Sequence, residues 1–425
     1  MERTPESVAA EVAALKQSLS EVTAAIDRYA ELATQNVGNR DVTASGGVSQ
    51  SHRDLYLKTS KLLRTVRGPV DMVTANFENS VYTGCLRAVM EMGVFEALPP
   101  DGSPASATAL AEKLRVDKNL LVRLMRNVTV MGPFAEVGKE EYAHTQFSQI
   151  FLVPALTGLF KTMFDEFAPV NAKMYEFFRE TKFQTPDSDI INPYCFAHRT
   201  GNKTMWEYLD QFPARLDAFN DAQKANSEAN PWTVELFPFE EEFKKFKTNN
   251  DTVLLIDIGG GVGHVAKQIR GLTSNIPGKV ILQDRPQVLA DITDPLTGVE
   301  KMEYDFFTPQ PVKGKLIMTL ATGALIYYIR HCLHDWPDKD CIRILKKIAS
   351  AMEPGISRLL ISDSVLPESD VDLESGWLDI TMMALSGSER TESQWQKILD
   401  QSGFKLHKIY KAPGTNFAAI EAYLK

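Results

Sequence analysis

The sequence predicts an α/β protein in which a doubly wound, parallel-sheet domain forms the C-terminal half and an α-helical, winged-helix-like domain precedes it. From residue 252 onward, short continuous apolar runs alternate with amphipathic helices, as expected for parallel strands covered by helices on both faces. Between residues 107 and 145 the predicted order is helix, turn, helix and hairpin. The 425 residues, 44% hydrophobic and 24% charged, suffice for two to three domains.

The first 50 residues predict a helix followed by a linker. Apolar residues recur at spacings of four and three, which is a heptad-like stripe of about three repeats. The stripe consists of Val8, Val12, Leu15, Leu19, Val22, Ile26 and Tyr29. A stripe this short is marginal alone, so it is expected either to pair with a second copy or to dock on the body of the protein. Residues 36–50, rich in Gly, Ser, Asn and Thr, predict the linker.

Residues 51–155 predict the winged-helix-like domain. The apolar spacing is helical from about residue 67 to residue 100, and a short helix follows over Thr108–Leu114. Next come a helix with Leu120, Leu121, Leu124 and Val128 on one face and a hairpin over Phe134–Thr145. Winged helices also bind DNA, but the net charge of -9 and the lack of a basic arm argue against nucleic acid. This domain is therefore expected to mediate a homodimer and to wall a substrate pocket.

Residues 156–247 predict a helical region that connects the domains and lines the pocket. Six large aromatic side chains there are expected to be mostly core: Trp206, Tyr208, Phe212, Phe219, Trp232 and Phe237. Residues 248–425 predict the doubly wound domain. Its predicted strands are Val253–Ile256, Lys279–Leu282, Arg358–Ile361 and a final pair, Phe404–Tyr410 and Asn416–Leu424. Ligands of such folds bind at the carboxyl ends of the strands.

A glycine-rich turn follows the first of these strands. The run Asp257-Ile258-Gly259-Gly260-Gly261-Val262-Gly263 leads from a strand into a helix, so its backbone can approach a ligand closely. Asp284, after the next strand, is placed to accept hydrogen bonds from both hydroxyls of a ribose. A dinucleotide-binding loop needs a glycine where His264 stands. The loop therefore favours a nucleoside that carries an amino acid, S-adenosyl-L-methionine, over a dinucleotide.

Three further blocks follow the glycine loop in a fixed order. They are Tyr328-Ile329-Arg330-His331-Cys332-Leu333-His334-Asp335-Trp336-Pro337-Asp338, Ile361-Ser362-Asp363-Ser364-Val365-Leu366-Pro367 and Gly387-Ser388-Glu389-Arg390-Thr391. With them the chain resembles the caffeic-acid-type plant O-methyltransferases and, more closely, the fungal O-methyltransferases of secondary-metabolite clusters. The resemblance runs from about Leu55 to the C-terminus, leaving out the heptad helix and linker. It implies a Rossmann-like domain that binds S-adenosyl-L-methionine, preceded by a dimerisation domain.

The resemblance also implies which residues form the site. The implied cofactor-binding residues are Gly259, Gly260, Asp284, Asp305, Phe306 and Arg330. Among them, Asp284 would hold the ribose, and Asp305 and Phe306 would flank the adenine. The implied catalytic residues are His334 as general base, with Asp363 and Glu389 as the acids that steer it. Many relatives carry Glu where Asp363 stands, and the shorter side chain leaves room for a water. His331 is expected to be structural, and Met382 and Met383 are either pocket walls or core.

The chemistry of these residues agrees with that assignment. Methyl transfer from a sulfonium is an in-line displacement, so the enzyme must align the acceptor oxygen and remove its proton. A phenol, with a pKa near 10, is a weak nucleophile at neutral pH, and a neutral imidazole within hydrogen-bond reach contributes roughly 10²–10⁴-fold by taking the proton. The expected acceptor is a hydroxyl of a small phenolic or polyketide metabolite. Without the other motifs, His334 would have a simpler structural interpretation, because Asp335 before Trp336-Pro337 suits the N-terminal cap of a helix.

Two alternative functions remain open from the sequence. Some fungal relatives are pericyclases that use bound S-adenosyl-L-methionine as a positive charge, and these replace the catalytic histidine with a cationic residue, whereas this chain has His334. A winged-helix regulator or a catalytically dead partner protein is the other alternative. The apolar stretch Lys315–Ala324 is an addition relative to the family. It is either a genuine loop or an error in the coding sequence, and it matters if it displaces the strand before His334.

Composition limits the remaining properties. No run of about 18 apolar residues predicts a membrane span, and the N-terminus lacks the features of a secretory signal. Four scattered cysteines predict free thiols in a reducing compartment, so the expected location is cytoplasmic. No clustered His and carboxylate ligands are expected beside the site, and no metal is predicted.

Overall fold

The computed structural model describes residues 4–38, 42–229, 231–313, 323–411 and 415–425. Contacts divide this part of the chain into two compact units. The first unit comprises Met1–Val37, Ser51–Asn171 and Glu207–Glu228, as far as these are described. The second comprises Gly38–Gln50, Ala172–Trp206 and Ala229–Lys425, with the same restriction. No helix among the described residues is long and apolar enough to cross a membrane.

Helices form most of the chain before residue 250. They are α1 (Pro5–Gln35), α2 (Val42–Glu91), α3 (Val94–Ala97), α4 (Ala107–Leu114), α5 (Lys118–Met131), α6 (Pro154–Thr162), α7 (Ala168–Glu180), α8 (Pro193–His198), α9 (Met205–Leu209), α10 (Pro213–Ala229) and α11 (Phe239–Phe243). Helix α2 is kinked because Gly68 has a φ of 68° and Pro69 lacks a backbone donor. A π-helical turn, Met163–Phe167, joins α6 to α7.

The N-terminal helix is confirmed, and the linker prediction is wrong in part. Helix α1 begins at a capping box, in which Thr4 accepts from the backbone of Ser7. One side of it lies against α2, where Lys61 pairs with Glu21 at 2.9 Å. Four members of the heptad stripe are nevertheless exposed, namely Val8, Val12, Leu19 and Ile26. Residues 42–50 belong to α2 and are not a linker. A composition rich in Gly, Ser and Thr does not by itself distinguish a helix from a loop.

The winged-helix-like arrangement is present in the first unit. Strands β1 (Ala105–Ser106), β2 (Phe134–Gly138) and β3 (Glu141–His144) form an antiparallel sheet in the order β1-β3-β2. Asp117 caps α5 by accepting from Leu120 N, and Gly132 ends that helix in the left-handed conformation. The buried face of α5 consists of Leu121, Val122, Met125 and Val128. The prediction that Leu120 lies on this face is wrong, since its position in the first turn leaves it exposed.

The region of residues 156–247 is helical, as predicted. Its aromatic side chains are less buried than expected, because only Phe237 of the six is fully buried and Phe212 is exposed. Short helices separated by turns leave these rings partly accessible. Residues 172–206 cluster with the second unit and residues 207–228 with the first.

The second unit is built on a mixed sheet. Its strands are β4 (Val253–Ile258), β5 (Lys279–Asp284), β6 (Val299–Glu303), β7 (Ile326–Arg330), β8 (Arg358–Leu366), β9 (Arg390–Thr391), β10 (Phe404–Lys411) and β11 (Phe417–Leu424). The order is β10-β11-β8-β7-β4-β5-β6, and β9 pairs with β8. Strands β8, β7, β4, β5 and β6 are parallel, while β11 runs antiparallel to β8 and β10. The remaining helices are α12 (His264–Leu272), α13 (Pro286–Ala290), α14 (Asp338–Ala349), α15 (Leu373–Met383) and α16 (Glu392–Gln401).

Two apolar cores cover the faces of this sheet. One includes Ile344 of α14 and Trp395 of α16, and the other includes Phe243 of α11 and Ile269 of α12. The apolar runs of the sequence are strands because both of their faces are buried in this way. Most of the apolar stretch Lys315–Ala324, residues 315–322, lies outside the described residues. The strand that follows is in place, because β7 pairs with β4 on one side and β8 on the other.

Candidate active site

The carboxyl ends of the parallel strands carry the side chains that the sequence singled out. Strand order reverses between β4 and β7, because β5 and β6 extend the sheet to one side and β7 and β8 to the other. Such a switch point leaves a crevice at the carboxyl edge of the sheet. The glycine loop follows β4, Asp284 ends β5, and Arg330 ends β7. The sheet therefore gathers residues that lie up to 71 positions apart in sequence, from Gly259 to Arg330.

The glycine loop has no room for side chains on its inner surface. Gly259 and Gly261 have φ angles of 69° and 58°, in the left-handed region that glycine enters without strain. A Cβ atom on Gly260 would lie 2.5 Å from Asp257 Oδ2 and 2.5 Å from the Leu282 side chain. The amide of Gly261 donates to Asp284 Oδ2 at 2.8 Å. The structure thus brings Gly259, Gly260 and Asp284 into one cradle, as the sequence predicted.

Asp257 fits a cationic ligand at this cradle. Its side chain is fully buried, and Oδ2 has no hydrogen-bond partner among the described residues. Burial raises the pKa of Asp257 to about 7, although the charge of Arg330 opposes that shift. A buried acceptor without a donor is costly, and a bound ammonium group would satisfy it. S-adenosyl-L-methionine carries such a group on its amino-acid portion, so the residues present fit this cofactor.

The other predicted cofactor residues surround the loop with different contacts. The Phe306 ring lies 3.8 Å from the position that a Cβ on Gly259 would occupy, and it meets the Trp336 ring edge-on. The side chain of Asp305 is exposed, and its Oδ1 accepts a hydrogen bond from Phe307 N at 2.9 Å. Arg330 donates to Thr233 Oγ1 at 2.9 Å and lies over the Phe417 ring.

A buried cluster of one imidazole and three carboxylates lies beside β7 and β8. His334 Nδ1 is 2.7 Å from Glu389 Oε1 and 3.5 Å from Asp363 Oδ1. Asp335 Oδ1 lies 3.6 Å from Nε2, the other ring nitrogen of His334. Because an ionised carboxylate only accepts, Nδ1 carries the proton of the bond to Glu389. Glu389 contacts the ring directly, whereas Asp363 acts on it through charge.

Asp335 is the carboxylate that sequence reasoning missed. The sequence suggested a cap for the following helix, but α14 begins at Asp338 with Pro337 at its cap position and no side-chain cap. The carboxylate faces the imidazole instead. Its burial raises the pKa of Asp335 to about 6, against the opposing charge of His334.

Charge governs the protonation of His334. Burial lowers the pKa of an imidazole, but the negative charges of Asp363, Asp335 and Glu389 outweigh burial and raise the pKa of His334 above its usual value. Burial also raises the pKa of Asp363. Several acidic groups therefore share few protons in a small buried volume, which is characteristic of functional sites.

Arg390 holds the two segments of this cluster together, a role that the motifs alone did not predict. Its buried guanidinium donates to the carbonyls of Leu333, Trp336 and Ser388 at 3.1, 2.7 and 3.0 Å. It also donates to Asp338 Oδ1 at 3.0 Å. Two of these carbonyls flank His334, and the third precedes Glu389. The sequence signal for this role is the position of Arg390 directly after Glu389 in the motif Gly387-Ser388-Glu389-Arg390-Thr391.

Close backbone contact between the same two segments adds a second restraint. Ser388 N donates to the carbonyl oxygen of His334 at 2.8 Å. A Cβ on Gly387 would lie 2.0 Å from that oxygen, so only glycine fits. Glu389 N in turn donates to Asp379 Oδ1 of α15 at 2.9 Å.

His331 adds a second imidazole beside this cluster, contrary to the prediction that no His and carboxylate side chains cluster at the site. No clustered His and carboxylate ligands were expected, yet His331, His334 and Asp363 each place a donor atom within 4.8 Å of the others. His331 and His334 lie three positions apart after β7, and Asp363 joins them from the neighbouring strand β8. Spacing along the sequence does not reveal this, because the pairing of β7 with β8 creates the proximity.

Known proteins similar to this chain share both of its parts. The O-methyltransferase domain matches residues 184–405, and the O-methyltransferase dimerisation domain matches residues 76–154. O-methyltransferase opaF of Aspergillus ustus is 41% identical over 97% of this chain and 96% of its own length. O-methyltransferase afvC of Aspergillus flavus is 38% identical over 96% of this chain and 98% of its own length. The resemblance thus extends into the N-terminal helix, which the sequence analysis had left out.

Solved structures agree with these similarities. OxaC in complex with SAH and oxaline has a TM-score of 0.84 and 33% identity, covering 98% of this chain and all of that one. LepI in complex with SAM has a TM-score of 0.79 and 29% identity, covering 96% of this chain and all of that one. The chain therefore belongs to the O-methyltransferase family and is an S-adenosyl-L-methionine-dependent O-methyltransferase.

Proposed function

We propose that His334 is the general base that removes the proton of the acceptor hydroxyl. The contact of Nδ1 with Glu389 at 2.7 Å carries this proposal, because it leaves Nε2 as the nitrogen that can accept a proton. Bound S-adenosyl-L-methionine supplies an electrophilic methyl group. Glu389 orients the imidazole, and Asp363 and Asp335 stabilise the imidazolium that forms when the hydroxyl proton arrives.

The proposed cofactor residues are those of the glycine cradle and its rim. Gly259 and Gly260 let the loop backbone turn closely against Cys332, Asp257 and Leu282, where no side chain fits. Beside them, Asp257 Oδ2 supplies an acceptor for the ammonium group. Asp284, next to the loop, accepts from the ribose hydroxyls. The remaining three, Asp305, Phe306 and Arg330, would surround the adenine and the adjoining sugar.

The proposed substrate is a small phenolic or polyketide secondary metabolite. A phenol has a pKa near 10, so its methylation requires a base, which is the role proposed for His334. The names of relatives point the same way. A demethylsterigmatocystin 6-O-methyltransferase of Aspergillus flavus is 31% identical over 90% of this chain, and OxaC was solved with oxaline and with meleagrin.

We further propose a homodimer formed through residues 51–155. After its kink, helix α2 exposes a row of large apolar side chains, Val70, Val73 and Phe77, each more than half exposed, and Val66 is exposed before the kink. Such a row on one helix is typical of a covered interface, and the dimerisation-domain match includes Phe77. Phe77→Asp should yield monomers in analytical ultracentrifugation, whereas Val371→Asp, at another exposed valine, should leave the dimer intact. A wild-type chain that sediments as a monomer would contradict the dimer.

We also propose the domain limits and the compartment that the sequence predicts. The domain limits 1–50, 51–155, 156–247 and 248–425 remain the functional division we propose. The cytoplasm remains the proposed compartment, which is supported by the four free cysteines Cys85, Cys195, Cys332 and Cys341.

A pericyclase of the same fold is the second candidate function. It is favoured by the likeness to a structure titled a pericyclic reaction enzyme, with a TM-score of 0.78 and 27% identity. Against it stands the buried His334–Glu389 pair, whose arrangement suits a proton acceptor. In the pericyclase alternative, the cofactor binds but no methyl group leaves it.

The deciding experiment is incubation with methyl-labelled S-adenosyl-L-methionine and a panel of phenolic polyketides. Wild-type protein should label at least one phenol, and His334→Ala should lower the rate roughly 10²–10⁴-fold while still binding the cofactor product. His407→Ala, at an exposed histidine of β10, is the matched control and should retain the rate. Methyl transfer that survives in His334→Ala would remove the base assignment. Tight cofactor binding without transfer to any phenol would favour the pericyclase.

A further inference from the structure

We propose that His331, His334 and Asp363 form a binding site for a divalent cation such as Zn²⁺, and that this cation inhibits the enzyme. The three side chains each offer one donor atom, and these atoms lie within 4.8 Å of one another. Two imidazoles and one carboxylate are a donor set that zinc accepts in proteins, with the fourth position open to water or another ligand.

The separations suit one small ion. Tetrahedral zinc with bonds of about 2.0–2.1 Å keeps its ligand atoms about 3.3–3.5 Å apart. His331 Nδ1 lies 3.7 Å from Asp363 Oδ1, and His334 Nδ1 lies 3.5 Å from that same oxygen. The third separation, between the two imidazoles, is at most 4.8 Å, so an imidazole must move by up to about 1.5 Å to bring all three atoms onto one centre.

Unsatisfied buried oxygens give the site an additional attraction for a cation. Asp363 is fully buried and Glu389 nearly so, and Asp363 Oδ2 and Glu389 Oε2 have no hydrogen-bond partner among the described residues. A divalent ion would compensate this buried negative charge. Glu389 Oε1, at 2.7 Å from His334 Nδ1, is close enough to become the fourth ligand.

The backbone of His331 is strained in a way that places its ring in the cluster. Its φ is 46°, an unfavourable value for a residue with a Cβ, and its amide donates to Ser362 O at 3.1 Å. The ring packs between Phe417 and the His334 ring, with centroid distances of 5.0 and 5.3 Å. The side chain is about one third exposed, which gives an ion a path to the site.

Inhibition follows from which nitrogen the ion takes. An ion on His334 Nδ1 displaces the proton that Nδ1 shares with Glu389. From the neutral imidazole that proton moves to Nε2, and from the imidazolium it leaves to solvent while Nε2 keeps its own proton. A neutral imidazole bound to metal through Nδ1 carries its remaining proton on Nε2. Nε2 then cannot accept the proton of a hydroxyl. This inhibitory step rests on the proposed role of His334, whereas the binding of the ion does not.

The test uses untagged full-length protein that has been treated with a chelator and desalted. Co²⁺ is the probe for binding, because tetrahedral Co²⁺ has an intense visible absorption, and Zn²⁺ should displace it. Wild type should bind one Co²⁺ per chain, and His331→Asn should bind it at least about tenfold more weakly. His407→Asn, at an exposed histidine of β10, should bind like wild type. Equal Co²⁺ binding by wild type and His331→Asn would overturn the site.

The inhibition is measured separately in the methyl-transfer assay. Zn²⁺ should inhibit wild type and His407→Asn, EDTA should restore the rate, and the Zn²⁺ concentration for half inhibition should rise at least about tenfold in His331→Asn. Unchanged binding of the cofactor product shows that His331→Asn is folded. Co²⁺ binding that leaves methyl transfer unaffected would overturn the inhibition. If wild type methylates no phenol, the Co²⁺ titration still decides the site, so the two proposals fail separately.

Discussion

His334 Nδ1 and Glu389 Oε1 are 2.7 Å apart, although the residues lie 55 positions apart in sequence. Both side chains are buried, and neither belongs to a regular strand or a long helix. The distance is set by contacts outside the pair itself. Arg390 binds the carbonyls on both sides of His334 and the one before Glu389, and Ser388 N binds the His334 carbonyl. The position of His334 relative to Glu389 therefore depends on the hydrogen bonds between the segment around His334 and the segment around Glu389.

Methyl transfer is expected to rise with pH across and above neutrality. Burial lowers the pKa of His334, but the carboxylates raise it more, so below this raised pKa the imidazole is protonated and cannot act as a base. Glu389→Gln removes one negative charge, lowers the pKa of His334 and moves the rising limb of the kcat profile to lower pH. The measurement is kcat against pH from about 5 to 10. Glu392→Gln, at an exposed carboxylate of α16, should keep the wild-type limb. Identical limbs in Glu389→Gln and wild type would contradict this account.

Arg390→Lys should lower both kcat and stability while leaving the cofactor affinity unchanged. A lysine ammonium cannot reach the three carbonyls and Asp338 with the fork of a guanidinium, so buried carbonyls lose their donors. The free energy of unfolding should fall by about 2–3 kcal/mol, measured by urea denaturation. Arg343→Lys, at an arginine that is 56% exposed, serves as the control. If kcat is preserved in a destabilised Arg390→Lys, the residue is structural and does not position His334.

Gly260→Ala should weaken cofactor binding by at least about tenfold, or about 1.4 kcal/mol. Its Cβ would lie 2.5 Å from Asp257 Oδ2 and from the Leu282 side chain, which forces the loop to move. The matched control is Gly271→Ala in α12, where no atom lies within 4 Å of the added Cβ. Calorimetric titration with S-adenosylhomocysteine measures both variants. Equal affinities would show that the inner surface of the loop does not face the cofactor.

The sequence predicts the sheet and the glycine cradle well because both depend on local patterns. Continuous apolar runs such as Val253–Ile256 identify buried strands, and glycine spacing identifies the turn after β4. Dependence on local patterns also explains the wrong linker prediction for residues 42–50. Their composition is typical of a loop and does not reveal that a helix continues there.

The parts of the site that the sequence missed depend on contacts between distant segments. His331 and Asp363 lie close together because β7 pairs with β8. Arg390 has its role because the loop around His334 meets the loop around Glu389. Asp335 was assigned to a helix cap because its neighbours Trp336 and Pro337 suit one, and only the fold turns its carboxylate toward His334. Motif order therefore predicts which residues form the site, and tertiary contacts determine their geometry.

Gly387→Ala should disable the catalytic cluster without affecting the cofactor cradle. A Cβ at this position would lie 2.0 Å from the carbonyl oxygen of His334, which is backbone and cannot move aside without carrying the imidazole with it. A displacement of about 1 Å at a reacting group costs roughly 10²-fold in rate, so kcat should fall by that order while S-adenosylhomocysteine binds as before. Gly376→Ala is the matched control, because this glycine lies within α15 and an added Cβ meets no atom within 4 Å. That control should retain kcat and gain about 0.5–1 kcal/mol of stability from its higher helix propensity. If Gly387→Ala and Gly376→Ala show equal kcat, the contact between the two loops does not set the position of His334.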